Sequence, residues 1–150
     1  KNIYIVSILT ELISLFIVAF LAATILPAQS EILLGAYYIA GKSDPYLLLL
    51  FATTGNVLGS CVNWIIGRSL NRLKNYKWFP VKEETLSKAT NIYNKYGIWS
   101  LLLAWVPFIG DPLTIVAGVL RAHLGWFIVL VTIGKLLRYI VVLYALGFRF

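Results

Sequence analysis

Residues 98–120 read IWSLLLAWVPFIGDPLTIVAGVL, and the fold depends on how this run is taken. It has the length of a membrane span, which needs about 20 apolar residues. Its middle, however, carries Pro107, Gly110, Asp111 and Pro112. A simple span would take a carboxylate and two prolines through the hydrocarbon, where one unpaired charge costs about 2.5–3.5 kcal/mol. A hairpin that enters and leaves on the same side avoids this, because irregular backbone at membrane depth is tolerated where protein buries it. The run is therefore read as a re-entrant hairpin, broken at Pro107, Gly110 and Pro112.

The same punctuation occurs upstream. An apolar run reaches Pro27, Glu31 follows four residues later, and Ala40-Gly41 closes the segment. Downstream, a run reaches Pro107, Asp111 follows four residues later, and Ala117-Gly118 closes it. Each unit continues into a spanning helix, about 45–67 and about 124–147. Asp44-Pro45 opens the first, with Asp as N-cap and Pro at the first helical position. The reading is an all-α integral membrane protein of one domain, built as an inverted repeat of re-entrant hairpin plus transmembrane helix. Repeat 1 covers about 12–67, a basic linker 68–97, and repeat 2 about 98–147. Inverted repeats with broken helices place their sites near the bilayer midplane, so a polar pocket is expected there.

Composition agrees. Sixty per cent of the residues are hydrophobic and 13% charged, against roughly half and a quarter in soluble domains. Disorder, a disulfide scaffold and a water-soluble globule are excluded. One cysteine, Cys61, and one histidine, His123, supply no metal set. No Ser/His/Asp or Cys/His arrangement is present either, so no enzyme and no cofactor are expected. Methionine is absent and the chain opens on Lys1, which reads as a trimmed piece of a longer product.

The net charge of +7 is concentrated. Arg68, Arg72, Lys74, Lys77, Lys82, Lys88 and Lys95, seven of the 13 basic residues, fall within 68–97. Basic loops between spans mark the cytoplasmic side rather than nucleic-acid binding. In this loop Pro80 opens a helix, and Val81, Leu86, Ala89, Ile92, Tyr93 and Tyr96 form an apolar stripe ended by Gly97. The expectation is an amphipathic helix on the cytoplasmic face; recruitment of lipid headgroups is the alternative. Gly55, Gly59 and Asn63 recur every four residues, on one face of the first span. That suits close helix packing within the chain, with a homo-oligomer seam as the alternative.

Four charges fall in apolar surroundings: Glu31, Asp111, Lys135 and Arg138. They sum to zero and should face one another. Lys135 and Arg138 are three apart and share a helix face. A buried carboxyl can gain and lose a proton during transport, which assigns Glu31 and Asp111 to proton or ion coupling. An arginine fork holds a phosphate, which assigns Arg138, with Lys135, to an anionic lipid headgroup. The bland alternatives are an N-cap for Asp111, a helix-dipole contact for Glu31, a snorkelling Lys135 and a structural ion pair for Arg138. Glu11 reads as a helix-start residue at the headgroups, and His123 as interfacial.

Several phrases together resemble one family. They are Leu26-Pro27-Ala28-Gln29-Ser30-Glu31, Gly55-Asn56-Val57-Leu58-Gly59, Gly67-Arg68, residues 105–112 leading to Ala117-Gly118, and Gly134-Lys135-Leu136-Leu137-Arg138-Tyr139. The chain is similar to the DedA superfamily, also called the SNARE-associated Golgi-protein or VTT-domain family, and to its YqaA-like branch. The resemblance implies a bacterial inner-membrane protein with two re-entrant hairpins. It also implies a transporter or flippase of polyprenyl phosphate or phospholipid, coupled to an ion gradient. The broader family often carries arginine where this chain has Ala104 and Gly110, which leaves Lys135 and Arg138 to hold the anion. A membrane-assembly protein whose charges merely pair is the competing expectation.

Overall fold

The computed structural model describes residues 2–24, 29–70 and 82–149. The described residues form six α-helices and one 3-10 helix, with no strand among them: α1 (Asn2–Thr24), α2 (Gln29–Ala40), α3 (Pro45–Leu70), α4 (Glu83–Tyr96), the 3-10 segment (Gly97–Trp105), α5 (Gly110–Val119) and α6 (Leu124–Ala145). Three stretches are long and apolar enough to cross a bilayer: Ile3–Thr24, Pro45–Ser69 and Leu124–Ala145. At 1.5 Å per residue, α2 and α5 reach only about 18 and 15 Å.

Sequence signals explain the boundaries. Asp44 Oδ1 accepts from the Tyr46 amide at 2.8 Å, so the expected cap opens α3. Gly97 ends α4 at φ 61°, donating its amide to Tyr93. His123 caps α6 by accepting from Gly125 N through Nδ1 at 3.2 Å. Other expectations shift. The first apolar helix begins at Asn2 rather than near residue 12. Glu11 therefore lies within α1, not at its start, and is 8% exposed. It accepts from Ser43 Oγ at 2.7 Å, which puts it level with the turn between α2 and α3. Pro27 and residues 71–81, including Pro80 and Val81, lie outside the described residues.

The second broken segment is more irregular than expected. Its first limb is a nine-residue 3-10 helix, although such runs seldom exceed 3–4 residues. The sequence suits a period of three. Trp99, Leu102 and Trp105 form an exposed row, while Leu101 and Ala104 are fully buried. Pro107 lies in the turn that follows, and Phe108 takes φ 66° there, a strained value for a bulky residue. Gly110 and Pro112 do not break anything: both sit in the first turn of α5. Gly110 is needed for another reason, since a Cβ there would lie 2.3 Å from the Ala104 carbonyl oxygen.

Helix directions follow from contact order. Gly55 meets the backbone of Phe16 and Gly59 that of Phe20, so α1 and α3 run parallel. Asn56 meets Tyr139 and Trp64 meets Phe127, so α6 runs antiparallel to α3. Ser30 meets Tyr139 and Tyr38 meets Phe148, so α2 runs with α6. α4 is not a free surface helix. Ala89 is fully buried, and Leu86, Ile92 and Tyr93 pack on the cluster that includes Leu101, Leu113 and Val116. Burial accordingly pushes the Tyr93 phenol above its usual pKa. The amphipathic stripe was legible, but protein covers it; only Tyr96 of the described stripe stays exposed.

The tightest junction joins α3 to α5. A Cβ on Gly67 would lie 2.1 Å from the Ile115 carbonyl oxygen, and one on Gly118 would lie 2.1 Å from that of Trp64. Backbone meets backbone, so no side chain can yield. Gly118→Ala should therefore lower stability in detergent by about 1–3 kcal/mol, the range for overpacking. Gly125→Ala, whose Cβ would meet only the His123 side chain at 3.2 Å, should change it little. Thermal unfolding of the two variants compares them directly.

Candidate functional site

The site is built where the two short helices begin. α2 opens with Gln29-Ser30-Glu31, and α5 opens with Gly110-Asp111-Pro112. Both carry a carboxylate in the first turn, where the helix dipole favours negative charge. Both carboxylates reach α6. Glu31 pairs with the Arg138 guanidinium, and Asp111 pairs with the Lys135 ammonium. Lys135 is 1% exposed, so it does not snorkel. The N-cap position of α5 is Ile109 and no side chain caps it. Asp111 thus serves as an ion-pair partner rather than as a cap.

Apolar packing frames these charges on both sides. One hydrophobic cluster joins Trp64, Leu101, Leu113, Phe127 and their neighbours. The other joins Leu12, Leu15, Leu34, Leu48, Leu143 and theirs. The ion pairs lie at the join, near the midpoints of α3 and α6. A groove of about 310 Å³ between α1 and α2 lies beside Glu31, lined by Val18, Gln29, Ile32, Leu33 and Ala36. It is almost wholly apolar, unlike the expected polar pocket; the charges occupy one another instead.

A second polar system runs down α3. Thr53, Asn56, Ser60 and Asn63 are all buried and spaced three, four and three apart, so they share one face. Asn56 donates to the Tyr139 hydroxyl at 2.9 Å, and Tyr139 donates to Ser30 Oγ at 3.0 Å. Asn63 donates to the Ala23 carbonyl at 2.8 Å and to Thr114 Oγ1 at 3.2 Å. Asn63 thereby ties the last turn of α1 to α5. Gly55 and Gly59 lie against α1, with would-be Cβ atoms 2.4 and 2.5 Å from its carbonyl oxygens. The sequence reading placed Gly55, Gly59 and Asn63 on a packing face but passed over Thr53, Asn56, Ser30, Thr114 and Tyr139. The spacing of Thr53, Asn56 and Ser60 with Asn63 was the available signal.

The four charged residues therefore form two ion pairs on one helix, three residues apart. Each pair joins a cation from one half of the chain to the start of a short helix. Displacing either carboxylate would leave a cation beside a helix N-terminus, which is an anion-binding arrangement. Among the described residues no cluster of three or more metal-ligating side chains is found.

Comparison with known proteins agrees with this architecture. The chain matches the VTT domain over residues 3–148. It is 42% identical over 132 residues to the inner membrane protein YqaA of Escherichia coli strain K12, covering 88% of each chain. It is 35% identical over 141 residues to an uncharacterized protein of Haemophilus influenzae, covering 87% of this chain and 83% of that one. It is 31% identical over 144 residues to undecaprenyl phosphate transporter A of Staphylococcus aureus, covering 85% of this chain and 71% of that one. No solved structure matches. With three helices able to span a bilayer and a family match over almost its whole length, the chain is a membrane protein of the VTT-domain, or DedA, family.

Proposed function

We propose that the protein moves a lipid phosphate across the bacterial inner membrane in exchange for protons. The observation that carries this reading is the pairing of Glu31 with Arg138 and of Asp111 with Lys135, at the starts of two short helices and the middle of α6. On this reading α1–α2 and the segment from Gly97 to Val119 are re-entrant hairpins that enter from opposite faces. Their return limbs of about 18 and 15 Å stop short of a core about 30 Å thick. The antiparallel course of α3 and α6 supports the inverted repeat. The basic linker faces the cytoplasm by its charge.

Each side chain then has a role. Glu31 and Arg138 neutralise each other at rest. Protonation of Glu31 removes its charge and frees the guanidinium, whose planar fork takes two phosphate oxygens. Lys135 adds a point charge one turn away, and the α2 N-terminus adds a partial positive charge. Loss of the proton on the other side restores the ion pair and expels the headgroup. Asp111 repeats the step with Lys135. The lipid tail stays in hydrocarbon, as an apolar chain requires. The relative named as an undecaprenyl phosphate transporter supports a prenyl phosphate as the cargo. The competing reading is a non-transporting assembly protein, favoured by the closure of both ion pairs and the burial of Lys135.

Four variants separate the two readings, with a fluorescent prenyl phosphate in liposomes as the probe. Arg138→Ala should abolish movement, and Arg138→Lys should restore little of it. Loss of one partner of a buried pair costs about 3–5 kcal/mol, so flux is normalised to folded protein. Glu31→Gln, a mimic of the protonated acid, should exchange lipid passively with no response to a pH gradient. Asp111→Asn should do the same if both pairs take part. Full activity in Arg138→Ala and Glu31→Gln together would favour assembly over transport.

Topology is tested independently. Single cysteines at Ser87 and Arg121, in a Cys61-free protein, should both label from the cytoplasmic side. Labelling from opposite sides would make the segment from residue 98 to 120 a simple span.

A further inference from the structure

The proton step needs a route to Glu31, and the structure holds a chain of groups that the mechanism has not used. Tyr139 is fully buried among α2, α3 and α6. Its hydroxyl accepts from Asn56 Nδ2 at 2.9 Å and donates to Ser30 Oγ at 3.0 Å. Ser30 is fully buried and adjoins Glu31 in the first turn of α2. Glu31 Oε2 has no hydrogen-bond partner among the described residues.

Two more buried oxygens also lack partners, Asn56 Oδ1 and Thr53 Oγ1. Both side chains are more than nine-tenths buried. They are three residues apart on α3 and so are neighbours on its surface. Thr53 departs from the habit of its helix. Thr54 and Ser60 turn their hydroxyls back onto the carbonyls of Leu50 and Asn56, at 2.7 and 3.1 Å, whereas Thr53 keeps its hydroxyl free of the backbone. Each unpaired buried polar group costs about 1–3 kcal/mol. Two such oxygens beside a tyrosine hydroxyl supply three partners, the usual number for a buried water.

We propose that Tyr139 and Ser30 relay protons to Glu31 from a water held by Thr53, Asn56 and Tyr139. This rests on the proton-coupled reading above. The water, protonated from the aqueous side, gives a proton to the Tyr139 oxygen as the Tyr139 hydroxyl proton passes to Ser30 Oγ. The Ser30 hydroxyl proton passes in turn to Glu31 Oε2. Each hydroxyl gives one proton and receives one, so the net change is one proton moved from hydronium to carboxylate. Asn56 relays nothing; its amide orients the tyrosine. Tyr139 and Ser30 touch neither lipid nor the Arg138 clamp, and they set only the rate at which Glu31 is recharged.

The test uses the full chain in liposomes with the fluorescent prenyl phosphate, with and without a pH gradient. Tyr139→Phe keeps the ring and removes the hydroxyl. It should lower gradient-driven flux by about 10²-fold, the lower end of the range for a positioned proton-transfer group. Passive exchange at zero gradient and the melting temperature should stay unchanged. Ser30→Ala should give the same loss, and the double variant no further loss, because both cut one chain. Driven flux preserved in Tyr139→Phe would overturn the relay. Driven and passive flux falling together with the melting temperature would show a packing role only, and would also overturn it. Failure of the transport reading looks different: wild type and both variants would then move lipid at one rate whatever the gradient, or not at all.

Discussion

Neutralising Lys135 and Arg138 is the constraint around which the rest of the structure is arranged. Two cations three residues apart, at the middle of a helix that crosses hydrocarbon, cannot be left to lipid. Carboxylates must be brought to them at mid-depth, and the chain does this by starting a helix there twice. A helix that starts inside the membrane exposes unpaired amides at its first turn. The acid that neutralises the lysine or arginine also sits well in that field. The break in each apolar segment and the charge beside it are thus one device.

The remaining packing holds that device in place. α3 lies between the two short helices and presents them a face of small polar residues. Asn56 orders α2 through Tyr139, and Asn63 holds α1 and α5. The opposite glycine face lets α1 approach to backbone contact. Apolar clusters on either side keep water from the ion pairs, which raises the value of each charge contact in the low dielectric between them.

Much of this was legible in the chain. Asp44-Pro45, Gly97 and the matched breaks follow local rules of capping and punctuation, and local rules survive folding. The pairing of four charges was legible because its alternative is so costly. Three things were not. Glu11 read as a boundary because charge usually marks the end of an apolar run, and only the α2–α3 turn beside it explains its burial. The stripe on α4 read as a lipid-facing surface because periodicity shows which face is apolar but not what covers it. Tyr139 and Asn56 looked like ordinary residues of apolar helices, since a hydrogen bond between positions 83 residues apart leaves no trace in spacing.

The 3-10 limb has an angular consequence. At three residues per turn, Trp99 and Trp105 are two full turns apart and project in the same direction. At 3.6 residues per turn they would be rotated about 120° from each other, and one indole would be driven into the α5–α6 interface. Gly134 already lies within 3.0 Å, measured from its would-be Cβ, of the Leu102 carbonyl oxygen, so that interface has no room for it. The tighter winding also lengthens the limb by about 0.5 Å per residue relative to an α-helix. Nine residues therefore carry the chain about three α-helical residues deeper before it turns, and the start of α5 arrives at the height of Lys135 instead of short of it.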